Sequence, residues 1–174
     1  MERREARFVD PDTGAPLRAT AVRLRGADGV VRELPPPEGG FDRVDVTWPR
    51  TRLAGASVEV EVAGRPLVRV PLDTLSATLS VPAGRTLELT VAGPRGPASD
   101  RTPVVVRWAT EHALEPSEAD LVTVRTATGP DGRVSVPVPK GRATEVVVEP
   151  TDAAPVGVSV AADTSGPVTA PLAA

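Results

Sequence analysis

His112 is the chain's single histidine, and it stands beside Glu111. A hydrolase needs a nucleophile, a base and a group that orients the base, so a triad would be centred on this pair with a nearby Ser, Thr or Asp. No Gly-x-Ser-x-Gly elbow or comparable nucleophile motif accompanies it; His112 reads as a solvated loop histidine, and no catalytic residue is assigned. Asp10-Pro11-Asp12, with Asp28 or Asp42, could offer hard oxygen ligands to calcium between loops. Their spacing does not match an EF-hand loop, and short acidic side chains commonly cap turns by accepting bonds from following amides. Asp10 and Asp12 are therefore expected to cap a turn, and neither a metal site nor a cofactor site is assigned. Glu59 and Glu61 lie two apart on an alternating stretch, so they share one strand face, with arginines expected across it. They read as a solvated face rather than the acid pair of a glycosidase.

Recognition chemistry has few candidates. The sequence holds two Trp, two Phe and no Tyr, which leaves Trp48 and Trp108 as the only platforms for a sugar ring. They stand in similar contexts, Val44-Asp45-Val46-Thr47-Trp48 and Val104-Val105-Val106-Arg107-Trp108, each ending a strand. Both are expected as core anchors between sheets; exposed, they would be interface hot spots. Pro35, Pro36 and Pro37, inside Leu34-Pro35-Pro36-Pro37-Glu38-Gly39-Gly40, form a stiff polyproline loop expected to project, either as a contact or as a spacer.

These residues must be positioned by a scaffold with few large side chains. Among 174 residues there are 20 Pro, 15 Gly and 2% aromatics, so Val, Leu and Ala have to fill the core. The net charge of -3 with interleaved acids and bases opposes a nucleic-acid footprint. Lys140 is the only lysine, and the arginine excess fits either bidentate surface pairing or a GC-rich coding bias. With no cysteine there is neither a disulfide framework nor a thiolate site. The charged opening Met1-Glu2-Arg3-Arg4-Glu5-Ala6-Arg7 lacks an apolar signal core, and no apolar run is long enough to span a bilayer. The expected location is cytoplasmic, or exported only as part of a larger assembly.

Period-two alternation recurs throughout and helical periodicity is nearly absent. Strands are expected over 6–9, 19–25, 30–34, 43–48, 56–62, 65–72, 77–81 and 86–91, then over 104–109, 120–126, 133–138, 144–149, 156–161 and 168–172. Turn signals separate them at Asp12-Thr13-Gly14, Asp28-Gly29, Ala63-Gly64, Pro130-Asp131-Gly132 and Lys140-Gly141. One short helical turn is expected within 111–120, limited by Pro116. The first residues and Ala173-Ala174 are expected to fray.

One phrase occurs twice: Val81-Pro82-Ala83-Gly84-Arg85-Thr86-Leu87-Glu88-Leu89-Thr90-Val91 returns as Val138-Pro139-Lys140-Gly141-Arg142-Ala143-Thr144-Glu145-Val146-Val147-Val148. It reads as one hairpin repeated in two β modules. The segment 92–100, rich in turn formers, is the best linker. The expected organisation is all-β, two tandem β-sandwiches, with domains at 1–94 and 95–174. A single continuous sandwich with a crossover at this loop is the alternative.

The stretch Val9-Asp10-Pro11-Asp12-Thr13-Gly14-Ala15-Pro16-Leu17-Arg18-Ala19-Thr20-Ala21-Val22-Arg23-Leu24 resembles the opening of carboxypeptidase-regulatory-like domains, which are transthyretin-like sandwiches. There a strand runs into an Asp-x-x-Gly-x-Pro-Leu turn and out into an alternating strand. Asp131-Gly132-Arg133-Val134-Ser135-Val136, followed by Pro139-Lys140-Gly141 and a Val-rich strand, resembles that family's second signature, with Val134 and Val136 where Phe is common. The resemblance implies that the fold is all-β, two tandem immunoglobulin-like or transthyretin-like β-sandwiches, and that the chain is a non-catalytic appendage, assembly or adhesion piece.

The expected role is thus a structural or protein-interaction module within a larger assembly. Its partners would be other protein subunits, copies of itself included, bound through sheet edges and loops. The alternatives are a carbohydrate- or calcium-binding module, which requires outward tryptophans or clustered Asp10, Asp12 and Asp28, and an enzyme centred on His112.

Overall fold

The first residues were expected to fray and the first strand to start at Ala6, yet the strand begins at Glu2, where the charged side chains find partners or a solvated face. The computed structural model describes residues 1–109, 121–164 and 166–172. Glu111, His112, the helical turn expected within 111–120, and Ala173-Ala174 lie outside the described residues. Strand β1 (Glu2–Val9) alternates so that Ala6 and Phe8 turn inward and Arg3 and Glu5 outward. It pairs antiparallel with β4 (Arg43–Trp48) from Glu2↔Trp48 to Arg7↔Arg43. Arg3 Nε and Nη2 donate to the two Asp45 carboxylate oxygens at 2.8 and 2.5 Å, and Arg43 reaches Glu5 at 2.7 Å.

The chain forms two units, Met1–Ala83 and Gly84–Ala174, and every strand pairing stays within one of them. In the first, β1 lies between β4 and, parallel to it, β7 (Thr78–Ser80). The second sheet runs β3 (Val31–Glu33), β2 (Ala21–Arg25), β5 (Ser57–Glu61), β6 (Val68–Pro71), all antiparallel. Phe8, Val44 and Leu79 from one sheet and Val22, Val58 and Val60 from the other belong to one buried cluster, which makes the unit a sandwich. Short 3-10 turns at Arg50–Arg52 and Leu72–Thr74 were not signalled by the periodicity; the second takes over where strand 65–72 was expected to continue, with Leu72 buried.

The second unit uses the same scheme. Its first strand, β8 (Arg85–Gly93), lies between β12 (Arg133–Val138) and, parallel to it, β15 (Val168–Pro171), with the two-residue β9 (Gly96–Pro97) folded against its end. The facing sheet runs β11 (Leu121–Ala127), β10 (Pro103–Ala109), β13 (Thr144–Val148), β14 (Val156–Val160). In both units the first strand pairs with the fourth and the last of seven, and the other four form the second sheet. The protein is all-β, two tandem sandwiches. Val104, Val105 and Val106 are all buried, so β10 is covered on both faces, which is why its apolar run does not alternate.

Two sequence expectations change here. The cut was expected after residue 94, but the units part before Arg85, because β8 finds its ladder partners in β12 and β15. The repeated phrase is not a repeated hairpin either. Its first copy joins β7 to β8, and its second joins β12 to β13, which lie in different sheets. The first Pro-x-Gly-Arg turn is the junction between the two units and the second crosses between the two sheets of the second unit, and the structural repeat is the seven-strand scheme.

Candidate functional site

The loops at one end of the first unit converge through backbone bonds. Val9 bridges Pro16, Ala19 bridges Phe41, and the side chain of Arg65, in the β5–β6 turn, reaches across to the β1–β2 loop. Asp10 Oδ1 accepts from the amides of Asp12 and Thr13 at 2.8 and 3.0 Å, so it caps the turn as its residue type implies. Its other oxygen takes Arg65 Nη1 at 2.7 Å, and the same nitrogen donates to the Val81 carbonyl at 2.8 Å. The Arg65 guanidinium, with the Thr13 and Asp12 amides, lowers the Asp10 carboxyl to about 2. Asp10 is thereby committed to an internal clasp joining the first strand, the β5–β6 turn and the end of β7.

The calcium arrangement does not form. Asp28 lies in the β2–β3 hairpin, where its Oδ1 accepts from the Val30 amide at 3.1 Å. The five residues of β2 separate it from the Asp10 loop, about 16 Å along a strand. Asp42 is held by Arg43, which lowers its carboxyl. Among the described residues no group of three or more His, Asp or Glu is placed to hold a metal ion.

Glu59 corrects the expectation of a solvated face. It is 6% exposed, its Oε1 takes Arg69 Nε and Nη2 at 3.0 and 2.7 Å, and Arg25 stands 3.5 Å away. Glu61 is exposed and binds Arg23 at 2.9 Å. The registers place Glu33, Arg23, Glu59 and Arg69 in one row across four strands, alternating in sign. That is a structural ion row, not an acid pair with a cleft between.

The two tryptophans occupy unlike places. Trp108 lies on the second strand of its scheme and is 4% exposed. Trp48 ends the fourth strand of the first unit, half-buried against the core, with Nε1–H donating to the Arg52 carbonyl at 3.1 Å. Trp108 therefore offers no platform. Pro35, Pro36 and Pro37 are exposed on the β3–β4 loop, at the end of the unit opposite Trp48, while Leu34 behind them packs on the core. Val30 and Val31, 65% and 45% exposed, stand at the β2–β3 hairpin, at the other end of edge strand β3.

The arginines were the residues that sequence reading missed. Three of the four Gly-Arg dipeptides share a construction: Gly64, Gly84 and Gly141 have φ of +74°, +64° and +70°, and the arginine that follows each turns back onto backbone carbonyls. Arg65 takes Val81 O, Arg142 takes Ala109 O at 2.6 Å, and Arg85 takes Thr164 O together with Ala161 O at 3.1 Å. The signal was present as the recurring Gly-Arg pair, but its targets are remote in sequence.

No protein-family model and no curated relative matches the chain. Among solved structures it is similar to a streptococcal ancillary pilin at 15% identity and TM-score 0.32, over 98% of this chain and 62% of that one. It is also similar to the shaft pilin spaA of Lactobacillus rhamnosus GG at 10% identity and TM-score 0.27, over 99% and 98%. The pilus adhesin RrgA of Streptococcus pneumoniae matches at 11% identity and TM-score 0.29, over 92% of this chain and 28% of that one. The chain thus spans less than two thirds of the first of these.

Proposed function

We infer that the protein is a non-catalytic structural or protein-interaction module, built to take its place in a larger assembly. The observation that carries this reading is that carboxylates of the first unit, buried and exposed alike, are engaged by the fold's own arginines. Asp10, Glu59, Asp45 and Glu5 are each tied to an arginine, and the arginines after turn glycines are spent on backbone carbonyls. Such groups rigidify a scaffold, and for Asp10 and Asp45 the arginine lowers the carboxyl and so favours its ionised form, the opposite of a poised acid. The surfaces that remain are loops and strand edges, which are where rigid sandwiches present contacts. Pro35, Pro36 and Pro37 form the first candidate contact, half-buried Trp48 the second, and the exposed Val30 and Val31 at the β2–β3 hairpin a third. The fold uses no disulfide, so its stability is independent of redox surroundings. Among the described residues no helix is long and apolar enough to cross a membrane.

Light scattering across a concentration series tests this reading. A discrete oligomer that grows in with concentration supports assembly through copies of the chain. A monomer at every concentration removes self-association and directs the search to other subunits.

A further inference from the structure

We propose that β15 is an exchangeable strand: the β8 edge of one copy of this chain accepts β15 of a second copy, and Arg85 is the latch that opposes the exchange. The proposal rests on the assembly reading and names its partner and its surface. β7 and β15 hold the same place in their units, each parallel to the first strand, but they are anchored unequally. Leu72 and Leu75 are buried ahead of β7, and Leu79 and Val81 are 2% and 0% exposed. β15 buries Ala170 alone; Val168 and Leu172 are half-buried, and none of the described residues over 161–167 is buried.

An alanine contributes little apolar area, so β15 is held mostly by its backbone ladder on β8 and by the Leu172 amide on the Ala92 carbonyl, at 2.8 Å. Every one of those bonds is remade when the same strand from another copy fills the slot, which is why strand exchange is a low-cost route between monomer and assembly. Departure of β15 opens the β8 edge from Leu89 to Ala92, and an open edge takes up another strand. The slot accepts a small inward residue, since Ala170 is fully enclosed, and β15 supplies it. What disfavours release is Arg85, whose guanidinium binds Thr164 O, Ala161 O and, at 3.5 Å, Arg142 O, and so fastens the connection into β15.

The chain has no cysteine, so introduced thiols report without background. Thr90 and Thr169 are register partners across β8 and β15, at the inter-strand spacing a disulfide spans. Full-length Thr90→Cys and full-length Thr169→Cys are prepared separately, mixed, incubated and oxidised. Neither can close a disulfide within itself, and the mixed pair meets in register only when β15 of one copy lies on β8 of the other. The expected result is a mixed dimer in excess of its random-collision share relative to the two like pairs. Arg85→Ala in both preparations should raise that excess about tenfold, the weight of lost charge-assisted bonds, with Arg85→Lys between the two should the alanine variant fail to fold. A mixed dimer at the random share, with and without the Arg85 change, overturns the exchange. Light scattering of the unaltered chain separates the two readings: an oligomer with random-share disulfides overturns exchange alone, whereas a monomer with random-share disulfides overturns self-assembly as well.

Discussion

Asp10 carries the strongest test of how single side chains hold the first unit. Its carboxyl is lowered from the ordinary 3.8 to about 2, so its contribution is fully present above pH 4 and is lost as pH falls through about 2. Asp45 and Asp42 are lowered too, by Arg3 and Arg43 respectively, and act in the same sense. Urea midpoints followed from pH 5 to pH 2 should therefore decline, and Asp10→Asn should start lower and decline less; an unchanged slope would place the acid sensitivity elsewhere. The tryptophans give a second test. Trp108→Ala should cost about 3–5 kcal/mol, as for other buried aromatics, and Trp48→Ala less, because Trp48 keeps part of its ring in water. Acrylamide quenching of the Trp48→Phe and Trp108→Phe variants should find the Trp108 emission protected and the Trp48 emission accessible.

At the scale of elements, turn chemistry and turn use separate. Asp28-Gly29 closes a true hairpin, β2 to β3, whereas the similar Asp131-Gly132 carries the chain from β11 to β12 in the other sheet. Both acids accept from the amide two residues on, at 3.1 Å, so the local geometry is the same. The surroundings decide the tolerance of each glycine. A Cβ on Gly132, at φ +73°, would meet the Val91 carbonyl oxygen at 2.5 Å, while one on Gly141, at φ +70°, meets nothing within 4 Å. Gly141→Ala should cost about 1–2 kcal/mol for the left-handed backbone alone, and Gly132→Ala roughly 3 kcal/mol or more, because the clash adds to it. Paired denaturation curves measure the difference.

For the whole molecule, the two units repeat one strand order while differing in how their cores are filled. Phe8 and Phe41 are in the first, and the second relies on valines around Trp108. Since every strand pairing stays within a unit, Phe8→Ala should remove about 3–5 kcal/mol and lower amide protection over β1–β7. Exchange over β8–β15 should change much less. Equal loss of protection in both units would mean that they unfold as one cooperative body.

The sequence by itself determined the local choices. Alternation placed most strands, Gly and Asp placed the turns, and the side-chain types fixed Asp10 as a turn cap, because each of these depends on residues a few positions apart. What only the tertiary structure decided were choices among distant partners. Nothing near Pro82-Ala83-Gly84-Arg85 tells whether the next strand turns back or leaves for another sheet, so the repeated phrase suggested a hairpin where the fold has a junction between units and a crossover, and the cut suggested at the linker falls before β8. The burial of Glu59, the difference between Trp48 and Trp108, and the carbonyl targets of Arg65, Arg85 and Arg142 were illegible for the same reason. Each is set by groups brought alongside from elsewhere in the chain, and a one-dimensional pattern carries the period of a strand but not the identity of its neighbour.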